Sequence, residues 1–300
     1  MSLFNRLVAT ALPAVPKGLV RKVSSRYIAG DGIEDAVRVV AELNRSGAMA
    51  TVDVLGEDIE RKEEAIATAD AYRAVLKEIE ARKLDGNVSV KLTALGLKLD
   101  KDFCLETVEK LVRDAAARKS FVRIDMEDSS CTSDTIETYR KLRARGLDNV
   151  GIVLQAYLRR TAADVESLLD LSPNIRLCKG IYVEPRRVAF KDGAIVNRSY
   201  ATLLERLLDG GAYVGIATHD EKLVFEAERL VRARKLDRAR YEFQMLLGVE
   251  RELRDIVMAS GHRMRVYVPY GKSWYAYSVR RLKENPAIAG HVVRAMLARK

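Results

Sequence analysis

Short apolar segments alternate with longer amphipathic segments along most of the chain. The short segments have the length and apolar character of buried strands, whereas the longer ones carry apolar residues at helical spacing. The predicted strands occupy residues 50–56, 87–93, 121–127, 150–156, 175–182, 213–219 and 241–247, and an eighth begins at Met264. The predicted helices between them occupy about 58–82, 103–117, 133–145, 162–171, 198–209, 221–234 and 250–260. Strands separated by helices favour a parallel sheet, because a parallel pair needs a long crossover.

Eight strand–helix units predict an α/β fold, a single (β/α)8 barrel of the TIM type, which takes about 250 residues. We expect an N-terminal helical segment at 1–48, the barrel at 49–286 and a C-terminal helix at 287–300. A doubly wound open sheet is the alternative, but it would carry a glycine-rich phosphate loop after its first strand. The sequence at 55–58 reads Leu-Gly-Glu-Asp instead, and no G-x-G-x-x-G occurs anywhere.

The helix predicted at 58–82 is long and highly charged. We expect one stripe of it to face the core, formed by Ile66, Tyr72, Val75, Leu76 and Ile79. After the fifth strand, a longer insert at 183–197 interrupts the regular spacing. The uneven spacing indicates a series of similar structural units and not a sequence repeat.

The net positive charge of the chain indicates which classes of ligand it can bind. Its 300 residues are 48% hydrophobic, and the formal net charge is +10. Basic and acidic residues are interspersed along the helices, without an arginine-rich arm, a zinc-finger spacing or another nucleic-acid motif. An anionic ligand or an anionic membrane surface is therefore favoured over nucleic acid.

Cysteine and histidine spacing argues against a metal site. Cys104, Cys131 and Cys178 show no C-x-x-C spacing, which indicates a reducing, cytoplasmic compartment and no structural zinc. The histidines form no H-x-x-x-H pair, so no metal is expected.

No apolar run has the length of a transmembrane helix. The mildly apolar residues at 1–18 predict a short amphipathic helix packed on the barrel, with a peripheral contact at the inner face of the membrane as the alternative.

The stretch from 264 to 286 combines the eighth strand with a helix that carries two adjacent arginines. The helix is predicted at 273–284, where Tyr277, Arg280 and Arg281 share one face. Two guanidinium groups beside an aromatic ring suit a small carboxylate. The alternative is that both arginines complement the helix dipole and face water.

Polar side chains accumulate where the predicted strands end, which is the face where barrel enzymes carry their active sites. The residues are Lys91, Asp125, Met126, Glu127, Gln155, Arg176, Lys179, Gly180, Tyr182, Thr218, His219, Gln244, Leu246 and Tyr267. Each charged residue alone could be half of a buried ion pair. Together they predict a cationic mouth for an anionic ligand. Cations and aromatic rings with few proton carriers suit a site in which a cofactor performs the chemistry.

Seven peptides at these strand ends resemble the proline dehydrogenase family, in the same order. They read V-S-V-K-L-T-A-L at 88–95, V-R-I-D-M-E at 122–127, V-L-Q-A-Y at 153–157, R-L-C-K-G-I-Y at 176–182, A-T-H-D at 217–220, Y-E-F-Q-M-L-L-G at 241–248 and Y-V-P-Y-G…Y-S-V-R-R-L-K-E-N at 267–285. The chain is similar in size to the monofunctional bacterial form. The resemblance implies a barrel whose eighth helix lies over the C-terminal mouth, FAD as the cofactor, and oxidation of L-proline to Δ1-pyrroline-5-carboxylate, with electrons passed to a membrane quinone.

The resemblance also implies roles for individual residues. Asp125 and Arg176 would be catalytic, and Arg176 would donate a hydrogen bond toward flavin N5. The proline carboxylate would pair with Lys91, Arg280 and Arg281, and the ring would contact Tyr182, Leu246, Tyr267 and Tyr277. FAD would further contact Met126, Gln155, Lys179, Gly180, Ile181, Thr218, His219 and Glu284. No metal is implied.

The chain departs from the family pattern at Ile181, where a small apolar residue is usual, and at Cys178, where valine is common. Trp274 lies where no fixed residue is expected. Two other functions stay open from the sequence. The same scaffold could oxidise a related cyclic amino acid such as hydroxyproline, or a non-catalytic basic barrel could bind anionic lipid or nucleic acid.

Overall fold

Eight parallel strands close on themselves in chain order, each paired with the next and the last paired with the first. The computed structural model describes residues 26–56, 59–275 and 278. The strands are β1 Met49–Val54, β2 Gly86–Val90, β3 Val122–Ile124, β4 Val150–Gln155, β5 Asn174–Cys178, β6 Tyr213–Ala217, β7 Tyr241–Leu246 and β8 Met264–Tyr270. The barrel predicted from the strand–helix alternation is confirmed, and the open sheet is excluded by the β1–β8 pairing.

Helices precede the first strand and fill each crossover. They are α1 Ile33–Arg45, α2 Lys62–Ala81, α3 Lys101–Ala117, α4 Thr132–Ala144, α5 Thr161–Leu168, α6 Gly193–Asp209, α7 Glu221–Ala233 and α8 Arg251–Ala259. Short 3-10 turns occupy Thr93–Leu95, Leu169–Leu171 and Arg238–Arg240. β3 ends at Ile124 and β5 at Cys178, before the predicted ends at 127 and 182. The apolar–polar alternation that predicted these strands continues past them into the loops at the carboxyl ends of the strands.

Aspartate side chains mark where several helices begin. Asp100 accepts hydrogen bonds from the backbone N–H groups of Asp102 and Phe103 at the start of α3. Asp192 caps α6 and Asp220 caps α7 in the same way. Each cap satisfies N–H groups that have no partner within the helix.

One prediction for α2 is wrong. Ile66 is 49% exposed, although Tyr72, Val75, Leu76 and Ile79 are buried as expected. The buried stripe continues toward the start of the helix through small residues, Ala65 and Ala69. At 100° per residue Ile66 is turned away from that stripe, and its apolar character alone does not bury it.

Helix α1 packs against the outer faces of β8 and β1, where the last helix of a simple barrel would lie.

After β8, residues 274, 275 and 278 are helical, and Trp274 packs against the buried side chains of Ile28 and Leu55. The rest of the helix expected over the mouth lies outside the described residues, as do segments 1–25 and 287–300. The predicted division at 1–48, 49–286 and 287–300 stays a prediction.

The barrel strands present two different faces. Alternate residues such as Val88, Ile124 and Leu177 are fully buried in the apolar layer between strands and helices. Many of the intervening positions carry polar side chains, and hydrogen bonds cross the interior from β5 to β2 and to Asp125, directly after β3. The barrel interior is therefore a buried polar network that opens at the carboxyl ends of the strands. No helix in the described ranges is both long and apolar enough to cross a membrane.

Candidate active site

A cavity of about 550 Å³ opens at the carboxyl ends of the strands. All but one of the sequence-predicted site residues within the described ranges line it: Lys91, Asp125, Met126, Gln155, Arg176, Lys179, Gly180, Ile181, Tyr182, Thr218, His219, Gln244, Leu246 and Tyr267. Glu127 is the exception, and its carboxylate accepts from the Thr93 backbone N–H and hydroxyl. Strand alternation directs Gln155, Arg176, Gln244, Leu246 and Tyr267 into the barrel. The other residues follow the carboxyl ends of the strands, in the loops that surround the cavity. Tyr277, Arg280, Arg281 and Glu284 lie outside the described residues.

Asp125 is the centre of a hydrogen-bond hub on the cavity floor. Its Oδ1 accepts from Ser89 Oγ at 2.7 Å and from Arg176 Nη1 at 2.7 Å. Its Oδ2 accepts from the Tyr267 hydroxyl at 2.9 Å. A carboxylate that holds three donors from three other strands orients all of them at once.

The Arg176 guanidinium is fixed on two of its three nitrogens. Nη1 donates to Asp125 and also to Ser89 Oγ at 3.1 Å, while Nε donates to Gln244 Oε1 at 2.5 Å. The Tyr267 ring lies 5.4 Å from the guanidinium carbon. Within the described ranges no acceptor is bonded to Nη2, so the remaining donors of Arg176 are available to a ligand in the cavity.

Lys91 is held by a second buried carboxylate. Its Nζ lies 2.8 Å from both oxygens of Asp53, whose side chain is fully buried on β1. The Tyr72 hydroxyl donates to the same carboxylate at 3.2 Å. Burial and the adjacent Asp53 charge raise the pKa of Tyr72 well above its ordinary value. A buried lysine is costly unless paired, and Asp53 supplies that partner at the cavity wall.

The Gln155 side chain has an acceptor that its neighbours leave unused. Its Nε2 donates to the Met126 and Glu127 carbonyl oxygens at 3.1 and 2.8 Å, which determines the orientation of the amide. Its Oε1 is buried, and no donor in the described part of the chain reaches it. A buried polar atom without a partner at a cavity wall indicates a ligand that carries a matching N–H or O–H group.

The wall that follows β5 and β6 combines a cation with a histidine. Lys179 Nζ lies 2.7 Å from Asp220 Oδ2, which also accepts from Asn197. His219 Nε2 accepts the Leu246 backbone N–H at 2.8 Å. That bond places the proton of a neutral His219 ring on Nδ1.

Gly180 lets the loop after β5 pass close to the wall. Its φ is +103°, and an added Cβ would lie 2.1 Å from the Tyr157 ring. Both the backbone conformation and the space at this position therefore require glycine. The next residue, Ile181, is partly exposed at the rim.

A second charged layer lies below the hub. The Glu242 carboxylate accepts from Arg265 at 2.7 and 3.1 Å and from the Tyr213 hydroxyl at 2.8 Å. Burial alone would raise the pKa of Glu242, but the charge and hydrogen bonds of Arg265, the Tyr213 hydrogen bond and the Arg123 charge outweigh it and lower the pKa to about 2. The Gln244 amide connects this layer to Arg176.

Comparison with known proteins identifies the family. A sequence model described as proline dehydrogenase matches residues 36–294. The chain belongs to the proline dehydrogenase family. It is 39% identical to proline dehydrogenase 1 of Bacillus subtilis subsp. natto over 272 residues, which are 91% of this chain and 90% of that protein. It is 38% identical to proline dehydrogenase of Deinococcus radiodurans over 279 residues, which are 92% and 90% of the two chains.

The proline dehydrogenase fold is shared with larger proteins. The solved structure of proline utilization A (PutA) from Bdellovibrio bacteriovorus, inactivated by N-propargylglycine, matches with a TM-score of 0.83 and 24% identity. The match covers 93% of this chain but only 36% of that one. The likeness confirms the barrel fold, and the chain spans about a third of the larger protein.

The sequence did not predict several residues that organise this candidate site. One feature of the sequence could have indicated Asp53, which is a lone carboxylate between two valines in a largely apolar strand. Ser89 and Glu242 follow the same alternation as Lys91 and Gln244, but serine and glutamate on a strand have no specific meaning until their partners are known. The partners belong to other strands, and only the pairing of those strands in the sheet brings them together.

Proposed function

We propose that the protein catalyses the first step of proline catabolism, the FAD-dependent oxidation of L-proline to Δ1-pyrroline-5-carboxylate. The observation that carries the proposal is the hub of Asp125, Arg176 and Tyr267 beside the Lys91 ammonium, in one cavity of a proline dehydrogenase family member. Two cations beside an aromatic hydroxyl suit a small substrate with a carboxylate and an apolar ring.

The residues of the cavity fit a flavin. The buried Gln155 Oε1 would accept from the N–H of the flavin ring, and Lys179 would face its anionic portions. The cavity is of the size common for cofactor sites, roughly 300–1,000 Å³. The residues that would hold FAD are those implied by the family resemblance: Met126, Gln155, Arg176, Lys179, Gly180, Ile181, Thr218 and His219, together with Glu284 outside the described residues. When bound, FAD supplies a two-electron acceptor for hydride at N5.

The protein's own contribution is binding, orientation and charge. Lys91, with Arg280 and Arg281, would bind the proline carboxylate and so hold the ring in one pose. Asp125 keeps the Arg176 guanidinium in place. The Nη2 group of Arg176 would stabilise the negative charge that a flavin gains on reduction. The ring would contact Tyr182, Leu246, Tyr267 and Tyr277.

An absorbance spectrum of the purified protein tests the proposal directly. We expect the bands of oxidised flavin before addition of substrate and their bleaching after anaerobic addition of L-proline. Protein without flavin, or flavin that proline does not bleach, would contradict it. Initial rates at equal concentrations of proline and hydroxyproline separate the two substrates, and a faster rate with hydroxyproline would assign the alternative.

We extend the proposal to a membrane quinone as electron acceptor, and to a cytoplasmic protein that touches the inner face of the membrane. Residues 1–25 support this extension, because they contain four basic residues and no acidic one. Proline-reduced protein should be reoxidised by a soluble quinone much faster than by dioxygen. It should also co-sediment with anionic vesicles at low salt and not with neutral ones. Equal reoxidation rates would exclude the quinone, and equal sedimentation would exclude the charge-dependent contact.

A further inference from the structure

Gln244 connects the candidate active site to the buried ion pair beneath it. We propose that Gln244 is a positioning residue, which sets the direction of the Arg176 guanidinium through the barrel interior. The inference rests on the proposed function, because it concerns the group that Arg176 presents to a flavin. Gln244 itself would make no bond to the substrate in this role.

The orientation of the Gln244 amide is determined by the chemistry of its two partners. On one side Nε2 donates to Glu242 Oε1 at 2.6 Å, and on the other Oε1 accepts from Arg176 Nε at 2.5 Å. An ionised carboxylate can only accept, whereas a guanidinium can only donate. A flipped amide would place oxygen against oxygen and N–H against N–H. The amide therefore has one stable orientation.

The Glu242 carboxylate, to which Gln244 donates, is itself held in place. Glu242 is 2% exposed and is held by Arg265 and the Tyr213 hydroxyl. Space for the amide is provided by Gly215 on β6, where an added Cβ would lie 2.6 Å from Gln244 Nε2. A larger residue at that position would occupy the place of the amide.

Two independent supports then determine the plane of the Arg176 guanidinium. Nη1 is fixed by Asp125 and Ser89, and Nε is fixed by Gln244. With both in place, Nη2 is the nitrogen left for a ligand. Without Gln244, the guanidinium would be held at one nitrogen and could turn about it. A donor displaced by about 1 Å can reduce a rate by about 100-fold.

The test compares three variants of the flavin-loaded protein. Gln244→Met keeps the side-chain length but removes both hydrogen bonds. Gln244→Glu can retain both, because a protonated carboxyl donates to Glu242 and accepts from Arg176. Tyr213→Phe removes one hydrogen bond from Glu242, but Arg265 still holds that carboxylate at 2.7 and 3.1 Å and the bonds of Arg176 are unchanged, so it is the matched control.

For Gln244→Met we expect anaerobic flavin reduction by proline to slow about 10- to 100-fold, with little change in KM for proline. The midpoint potential of the bound flavin should become more negative, because the cation no longer stabilises the reduced form, and this readout is independent of turnover. Gln244→Glu should restore most of the rate and potential, and Tyr213→Phe should stay close to wild type.

The inference is overturned if Gln244→Met reduces its flavin at the wild-type rate and potential. It is also overturned if Gln244→Glu or Tyr213→Phe loses as much as Gln244→Met, since general loosening of the network would then explain the loss. These outcomes leave the proposed function standing, because it depends on bleaching of the wild-type protein by proline. If the wild type does not bleach, the function itself fails.

Discussion

The Glu242–Arg265 ion pair allows a quantitative prediction for the variant Glu242→Gln. Glutamine keeps the shape of the side chain and an acceptor for Gln244, but removes the charge. The pKa of Glu242 is lowered from 4.5 to about 2 in the folded protein. A difference of 2.5 units corresponds to about 3 kcal/mol of folding free energy near neutral pH. Because removal of one partner also leaves Arg265 buried and unpaired, we expect a loss of roughly 3–5 kcal/mol at pH 7.

The sign of the pH dependence follows from the lowered pKa. The contribution of Glu242 is complete above the unfolded value near 4.5 and is lost progressively as the pH falls toward about 2. At pH 3.5 the unfolded glutamate is mostly protonated and the folded one is still ionised. The gap between wild type and Glu242→Gln should therefore be smaller than at pH 7 by roughly 1–2 kcal/mol.

Urea unfolding at pH 7 and pH 3.5, followed by far-UV circular dichroism, measures this gap. Glu166→Gln is the matched control, because Glu166 pairs with Arg206 on the exposed surface. Surface pairs contribute little, so its unfolding midpoint should not change measurably. A gap that is the same at both pH values would refute the assignment of an ionised, strongly stabilised Glu242. A gap at pH 7 no larger than that of Glu166→Gln would refute the importance of the buried pair.

Two further substitutions test the cavity itself. Asp125→Asn should slow anaerobic flavin reduction about 100-fold, because the charge that holds Arg176 is lost; a stopped-flow rate within a few-fold of wild type would contradict this. Gly180→Ala should lower the flavin-to-protein ratio and the thermal midpoint, since its Cβ would collide with the Tyr157 ring at positive φ. Gly193→Ala is its control, because an added Cβ there meets no atom within 4 Å, and equal losses in both variants would refute the steric argument.

Much of the architecture follows from local patterns. The number and order of strands come from alternation of apolar runs with helical segments, because a strand or helix must bury its apolar face whatever its neighbours are. The same alternation predicted Lys91, Asp125 and Arg176 at the mouth, and all three line the cavity. Ile66 marks the limit of this reasoning, since a helix buries a stripe and not every apolar residue on it.

Only the tertiary structure decided which polar side chains meet. Ser89 and Arg176 are 87 residues apart in the chain, and Arg265 donates to the Ala50 carbonyl 215 residues away. The register of β1 against β8 sets the second contact, and the curvature of the closed barrel brings the first pair together across its interior. The sequence by itself determined a barrel with charged side chains at its mouth, because periodicity and residue type are local properties. The structure pairs Lys91, Arg176 and Lys179 each with a carboxylate, so within the described residues these cations are halves of ion pairs. The pairing of Lys91 with Asp53 depended on the packing of β1 beside β2, and that of Arg176 with Gln244 on the packing of β5, β6 and β7, because hydrogen bonds form between neighbours in space.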